Sequence, residues 1–179
     1  LNFNINGGDL SVNEIIGKIN LSTAGGDILI ETSEGDINSH TSGGTVNIQN
    51  SKGHAKTHSF GGEITIQDFQ GSIASSTIGG DISLVSIKGN VNCQSSGGSI
   101  TLKDIEGNTI SCRASGGEII GENLHGEITL KCFGSDTNIK NISGKGNLYA
   151  SGGNFLIENF AGSLVVNTEQ GNIIIDDAV

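Results

Sequence analysis

A glycine pair returns every 18 residues along nearly the whole chain, and this period constrains the fold more than any local propensity does. A lone glycine follows ten residues after the start of each repeat, and of the 29 glycines only Gly121 and Gly146 fall outside the register. The repeat that begins at Gly97 has 19 residues. The pairs begin at Gly7, Gly25, Gly43, Gly61, Gly79, Gly97, Gly116 and Gly152, and the same register continues at Gly134-Ser135 and Gln170-Gly171.

Apolar residues hold fixed places within the repeat, whose positions we count from zero at the first glycine. Large aliphatic residues recur at positions three, five, eight and twelve, and small or apolar residues at fourteen and seventeen. Alternation with a period of two predicts strands, and glycines between strands predict turns. The predicted inward set is Leu10, Val12, Ile15, Ile19, Leu21 and Ala24 in the first repeat, and Ile82, Leu84, Ile87, Val91, Cys93 and Ser96 in the fifth.

A single repeat has too few apolar residues to form a core, so successive repeats must stack and bury each other. The sequence therefore predicts an all-β fold, a single-stranded parallel β-solenoid with 18-residue coils and about nine to ten rungs. Residues 1–179 are expected to form one domain, right-handed by the usual crossover preference. With rungs about 4.8 Å apart, the rod would be roughly 45 Å long. The glycines would form corners where φ is positive or a Cβ has no room.

Charge and composition exclude several classes of protein. The formal net charge of -10 argues against nucleic-acid binding, which needs clustered Lys and Arg. No run of about 18 apolar residues is present, so we expect no membrane span. The chain begins at Leu1 without an initiator Met, as a processed or excised segment would. We therefore expect a chain trimmed to its mature domain, with a cytosolic protein as the alternative.

Acidic residues recur at position two, directly after the glycine pair. Carboxylates on adjacent rungs could share a proton or a divalent cation. The alternative is that Asp and Asn cap the turn by bonding nearby backbone amides, and Thr45 and Ser99, which interrupt the series, favour it. The candidate ladder consists of Asp9, Asp27, Glu63, Asp81, Glu118 and Asp136. A second polar series, predicted at an outer bend, includes Asn50, Asp68, Asp104, Asn123, Asn141, Asn159 and Asp177.

Histidine and cysteine offer weaker candidates for chemistry. His40 and His58 occupy the same outward position on consecutive rungs and could hold a transition metal, but no further ligand completes the site. Cys93 and Cys112 share an inward position on neighbouring rungs, where we expect packed thiols rather than a disulfide. The sequence thus predicts no catalytic residue, no cofactor and no resident metal.

The recurrent motif G-G-[DE]-I, seen in GGDILI, GGEITI, GGDISL and GGEIIG, resembles the bacterial adhesin family of glycine-repeat β-solenoid domains. The resemblance covers nearly the whole chain. It implies a bacterial domain that is exported to the cell surface or the periplasm, with a cytoplasmic location as the alternative. It also implies a domain without enzymatic activity or cofactor, whose partner is a surface glycan or a protein.

A polysaccharide-binding or polysaccharide-cleaving β-helix is the main competing class. Sugar binding usually needs exposed aromatic rings. Here the pattern predicts that Phe60, Phe69, Phe133, Phe155 and Phe160 point inward, with only Tyr149 outward. An ice-binding face would need a regular threonine array, and the series from Thr23 to Ser95 continues as Ala114, Cys132 and Ala150.

We therefore predict a non-enzymatic rigid rod for surface attachment or assembly. The alternative is a scaffold that polymerises end to end, because bare terminal rungs would expose strand edges that self-associate.

Overall fold

The computed structural model describes residues 1–178, and these residues contain strands but no helix. The strands form one 14-stranded sheet that winds around a single core. No helix among the described residues could therefore cross a bilayer. The strands are β1 (Asn2–Ile5), β2 (Leu10–Asn13), β3 (Ile19–Thr23), β4 (Ile28–Glu31), β5 (Glu34–Thr41), β6 (Val46–Ser59), β7 (Ile64–Thr77), β8 (Ile82–Lys88), β9 (Val91–Ser95), β10 (Ile100–Ala114), β11 (Ile119–Cys132), β12 (Thr137–Ala150), β13 (Phe155–Thr168) and β14 (Ile173–Ala178).

Every strand pairing is parallel and joins equivalent positions of successive repeats. Ile28 of β4 pairs with Val46 of β6, which in turn pairs with Ile64 of β7. The predicted β-solenoid with 18-residue coils is thus confirmed. The extra residue of the 19-residue repeat lies next to Gly107. There, from Glu106 to Thr109, the register of β10 against β11 shifts by one residue.

The core consists of the predicted aliphatic positions. In the 19-residue repeat we count the positions after Asn108 one lower, to allow for the extra residue. With this numbering, positions three, five, eight, twelve and fourteen are all buried from the second repeat to the eighth. Phe69 and Phe155 are the largest fully buried side chains, and one continuous hydrophobic cluster links the rungs. The predicted burial of positions three, five, eight and twelve is therefore confirmed for these repeats.

The prediction that position seventeen points inward is wrong. Ala24, Ser96 and Phe60 are exposed, and Phe133 is half-exposed. The buried residue is instead at position sixteen, so the second wall alternates strictly through twelve, fourteen and sixteen. Position sixteen is mostly Thr or Ser, whose hydroxyl bonds to the backbone. Because these residues are polar, a search for alternating hydrophobic residues does not identify the position as inward.

Glycine is required where successive corners touch. A Cβ on Gly26 would overlap the carbonyl oxygen of Gly8, and a Cβ on Gly35, whose φ is +131°, would overlap that of Gly17. This confirms the prediction for both kinds of corner. A third bend lies at position seven, where a polar residue takes a left-handed conformation, as Asn50 (φ 49°) and Asn123 (φ 55°) do.

The two glycines outside the register occupy inward positions. At Gly121 the missing side chain leaves room for Leu124 and Ile139, and at Gly146 for Phe160 and Leu164. Neighbouring rungs therefore fill these places with larger side chains from the next positions along the core.

Candidate functional site

The acidic ladder at position two connects each rung to the next through backbone amides. Oδ1 of Asp27 accepts a hydrogen bond from the Thr45 amide at 2.7 Å. Oδ1 of Asp81 accepts one from Ser99 at 2.7 Å, and Oδ1 of Asp136 one from Asn154 at 2.7 Å. Asp9 bonds the amide of Asp27 in the same way, at 2.9 Å. These aspartates hold successive turns together.

The two glutamates of the ladder, Glu63 and Glu118, form no such bond to the next rung among the described residues. A carboxylate oxygen of Glu63 accepts a hydrogen bond from the Thr65 hydroxyl at 3.0 Å, within the same rung. Glu118 lies at the equivalent corner of the seventh repeat. Within residues 1–178, no three side chains of His, Cys, Asp or Glu lie close enough together to hold a metal ion. The structure thus gives the aspartates a turn-bonding role, as the capping alternative supposed.

The bend at position seven carries an amide ladder on the outer surface. Asn123 donates to Oδ1 of Asp104 at 2.6 Å, Asn141 donates to Asn123 at 2.9 Å, and Asn159 donates to Asn141 at 2.9 Å. Asn and Asp tolerate the left-handed conformation that this bend requires. The series therefore serves both the backbone geometry and the bonding between rungs.

His40 and His58 are paired across β5 and β6, as their shared position predicted. Their rings stack with centroids 5.2 Å apart and planes 4° from parallel. Phe60 meets His58 edge to face, with centroids 4.9 Å apart. Burial lowers the pKa of His58, the neighbouring His40 lowers it further, and a hydrogen bond with Ser76 opposes them. The two parallel rings form the start of an aromatic cluster on the outer surface.

The Thr and Ser series at position sixteen is buried and is not a surface array. The Thr41 hydroxyl donates to the carbonyl of Gly26 at 2.9 Å and accepts from the amide of Gly44 at 3.1 Å. Ser59 and Ser95 make the same two bonds in their own repeats. These hydroxyls therefore fasten the glycine corner of one rung to that of the previous rung.

Cys93 and Cys112 are joined by a disulfide, which corrects the expectation of packed thiols. Stacking holds their Cα atoms 4.6 Å apart, within the range that a disulfide spans. Cys132 is a free, buried cysteine, and burial raises the pKa of its thiol. The nucleophilic thiolate form of Cys132 is thereby disfavoured.

The outward aromatic residues share one face of the rod, which sequence reasoning missed because it placed Phe60 and Phe133 inward. This face consists of positions thirteen, fifteen and seventeen of each repeat, which in the third repeat are Lys56, His58 and Phe60. Phe60 is 47% exposed, and Ile78 on the next rung is 49% exposed. A prediction that ended the second wall at position sixteen would have found the face.

A second aromatic cluster lies on the same face, further along the rod. The guanidinium carbon of Arg113 is 4.2 Å from the ring centroid of Phe133, and the ring of Tyr149 is 5.6 Å from Phe133 on the other side. The Tyr149 hydroxyl donates to Glu169 at 2.5 Å, and this bond raises the pKa of Tyr149. Cation and rings are thus already arranged against each other in the free protein.

The face is nearly free of acidic residues, so we call it the acid-poor face. The chain has 19 acidic residues, yet among residues 1–178 Glu169 is the only one at these positions. Lys56, Arg113 and Lys131 are the basic residues there. A groove of about 430 Å³ runs along its first repeats, lined by Phe3, Asn20, Asn38, His40, Lys56 and His58 among others.

A second groove, of about 520 Å³, lies at the position-seven bend. Its lining includes Asp68, Asp104 and Glu106 as well as Lys88 and His125. This mixture of charges gives the groove no clear preference for an anion or a cation, unlike the acid-poor face.

Comparison with known families gives a match. The family model described as Toastrack DUF4097, a β-solenoid family, matches residues 62–177. Comparisons with curated proteins and with solved structures give no match. The matched segment runs from the fourth repeat to the end of the described chain and includes Arg113, Phe133 and Tyr149.

Proposed function

The chain belongs to the Toastrack DUF4097 family, and from this membership and the fold we propose that it is a rigid, non-enzymatic scaffold that attaches to a surface in a bacterial envelope. The observation that carries the proposal is the unbroken pairing of equivalent positions from β1 to β14. Because every rung among residues 1–178 is bonded to the next, we expect no hinge at which two parts of the rod would bend.

Bonds between side chains on successive rungs add to this rigidity. Three ion pairs link neighbouring rungs: Lys52 with Glu34 at 2.8 Å, Lys103 with Glu122 at 3.3 Å, and Lys140 with Glu158 at 3.1 Å. Each is exposed and contributes little alone, since exposed pairs are worth about 0–1 kcal/mol. The aspartate, amide and hydroxyl ladders also bond side chains of one rung to the next. Together with the ion pairs, they join successive rungs in the same way along the axis of the rod.

The disulfide supports an exported location. Disulfides persist in oxidising compartments and are rare in the cytosol. The bond between Cys93 and Cys112 is buried, at an inward position of the core. An adhesive role at the cell surface is the finer form of the proposal, and the acid-poor face is the surface that we assign to it.

Two measurements test the scaffold and its attachment. Small-angle X-ray scattering should give an elongated particle roughly 45 Å long with little variation in shape, as ten stacked rungs require. Purified protein should co-sediment with isolated bacterial envelopes. A flexible or compact particle would contradict the scaffold, and a protein that stays in the supernatant with Gram-positive and Gram-negative envelopes alike would contradict the attachment.

Assembly through the ends is a second proposal. Within residues 1–178, no further rung covers the inward residues Ile173 and Ile175 of β14, which are 40% and 44% exposed, and a rung of a second copy would bury them. Light scattering over a range of concentrations tests it, since end-to-end association would lengthen the particle as concentration rises.

A further inference from the structure

The acid-poor face combines features that point to one class of ligand. Its basic residues Lys56, Arg113 and Lys131 are exposed, and within residues 1–178 none of them forms an ion pair with a carboxylate. Lys52, Lys103 and Lys140, which lie off this face, are the lysines that do. On a protein with a net charge of -10, this is the surface on which a polyanion meets the least repulsion.

The two aromatic clusters are spaced for an extended ligand. Phe60 and Phe133 directly follow Ser59 and Cys132, the position-sixteen residues of their repeats. The strand pairing leads from Ser59 to Cys132 in four steps, so the two rings lie four rungs apart; the paired residues are Ser59, Thr77, Ser95, Ala114 and Cys132. At about 4.8 Å per rung, the clusters are roughly 19 Å apart along the axis. A small anion cannot contact both clusters, whereas a polymer that lies along the rod can.

The rungs between the clusters present short polar side chains. Ser76, Asn92, Gln94 and Ser111 lie outward there, and Asn20 and Asn38 line the groove beside the histidine pair. Amide and hydroxyl groups both donate and accept hydrogen bonds, as sugar hydroxyls do. One sugar unit of an extended polysaccharide is about as long as one rung, so equivalent groups of ligand and protein can meet repeatedly.

We propose that the acid-poor face binds an acidic polysaccharide, a chain of sugar rings bearing carboxylates, which lies along the rod axis. Arg113 and Lys131 bind carboxylates, while Phe60, Phe133 and Tyr149 contact sugar rings. The inference rests on the proposed function, since it names the ligand class of the attachment surface. It also brings back polysaccharide binding, the competing function against which the predicted inward position of the aromatic residues had argued.

Polygalacturonate is the test probe, and binding is measured by biolayer interferometry with the full chain. We expect saturable binding that weakens with added salt, and no comparable binding to fully methyl-esterified polygalacturonate, which has the same backbone without charge. Polyglutamate, an anionic polymer without sugar rings, should bind more weakly. Vesicles rich in phosphatidylglycerol should not bind.

Three variants assign the binding to this face. Arg113→Gln with Lys131→Gln should weaken binding about tenfold or more, because a hydrogen bond to a charged group contributes on that order. Phe60→Ser with Tyr149→Ser removes two of the rings and should weaken polygalacturonate binding but leave polyglutamate binding unchanged. The control, Lys103→Gln with Lys140→Gln, removes the same charge elsewhere and should bind as the wild type does. Thermal unfolding checks that each variant is folded.

Several results would overturn the proposal: equal loss in the control, equal binding of polyglutamate and polygalacturonate, or vesicle binding without polysaccharide binding. A wild type that co-sediments with envelopes but ignores polygalacturonate would refute this inference and leave the scaffold proposal intact. Failure of envelope co-sedimentation together with tight polygalacturonate binding would refute only the proposed place of attachment.

Discussion

Two buried threonines show that a hydroxyl group in this core can be either stabilising or costly. Thr41 is fully buried, and its hydroxyl both donates to Gly26 and accepts from Gly44. Thr137, at position three of the eighth repeat, is also fully buried, yet its hydroxyl has no hydrogen-bond partner among the described residues. A buried polar atom without a partner keeps its desolvation cost, whereas a bonded one repays it.

We therefore expect opposite effects from the same substitution at the two sites. Thr41→Val should destabilise the protein by about 1–3 kcal/mol, because it leaves the Gly44 amide and the Gly26 carbonyl without this partner. Thr137→Val should be neutral or stabilise by about 1 kcal/mol. Urea unfolding of both variants measures the difference, and equal destabilisation of the two would contradict the assignment of these hydroxyls.

The histidine pair predicts a pH dependence of stability. The pKa of His58 is lowered below 6.5 in the folded state, so the unfolded chain binds more protons as the pH falls through that range. Its contribution to stability is thus present above about pH 6.5 and lost as the pH falls toward the lowered value. His58→Gln should reduce the loss of thermal stability between about pH 7.5 and 5.5. His125→Gln, which removes a histidine without a stacked partner, is the control, and an identical pH profile for His58→Gln and wild type would contradict the prediction.

At the scale of a strand or a corner, repetition made most of the fold predictable. Alternating Ile, Leu and Val identified the walls, and glycine identified corners such as Gly26 and Gly35 where backbones touch. Only the last inward position of the second wall was misplaced, by one residue, because Thr and Ser at position sixteen do not look buried in a sequence. Outward aromatic residues such as Phe60 were assigned to the core for the same reason, so the acid-poor face was not predicted.

The disulfide predicts a stability difference within one pair of rungs. It closes a 19-residue separation between Cys93 and Cys112, and a loop of that size corresponds to about 3 kcal/mol. Dithiothreitol should therefore lower the urea midpoint of the wild type and leave that of Cys93→Ala with Cys112→Ala unchanged. Denatured, unreduced protein should show one thiol, that of Cys132; three titrating thiols would show that the bond does not form.

For the whole molecule, the distribution of charge has greater consequences than its total. Asp27, Asp81 and Asp136 repeat along one edge, so like charges add up while each carboxylate bonds an amide on the next rung. The acid-poor face has the opposite character. The acidic edge of the rod repels anions, whereas the acid-poor face offers basic and aromatic side chains. Anionic ligands should therefore approach the rod from the side of the acid-poor face.

Neutralising the ladder tests whether its role is structural. Replacing Asp27, Asp81 and Asp136 by Asn keeps an oxygen acceptor and relieves repulsion, so the thermal midpoint should hold or rise slightly and respond less to salt. The matched Ala variants should lose about 1 kcal/mol per lost hydrogen bond. Millimolar calcium should not raise the wild-type midpoint. A rise of several degrees that the Asn variant abolishes would instead identify the ladder as a cation site.

Most glycine corners rest on an identical corner, as Gly44 rests on Gly26 and Gly26 on Gly8. The surface with which a repeat contacts the next repeat is therefore like the surface of the previous repeat on which it packs. An in-frame duplication or deletion of one repeat in the gene would preserve every such contact, whereas a shorter insertion at a corner would misalign it. Recombination between neighbouring repeats can thus change the reach of the molecule in whole steps, without new folding information.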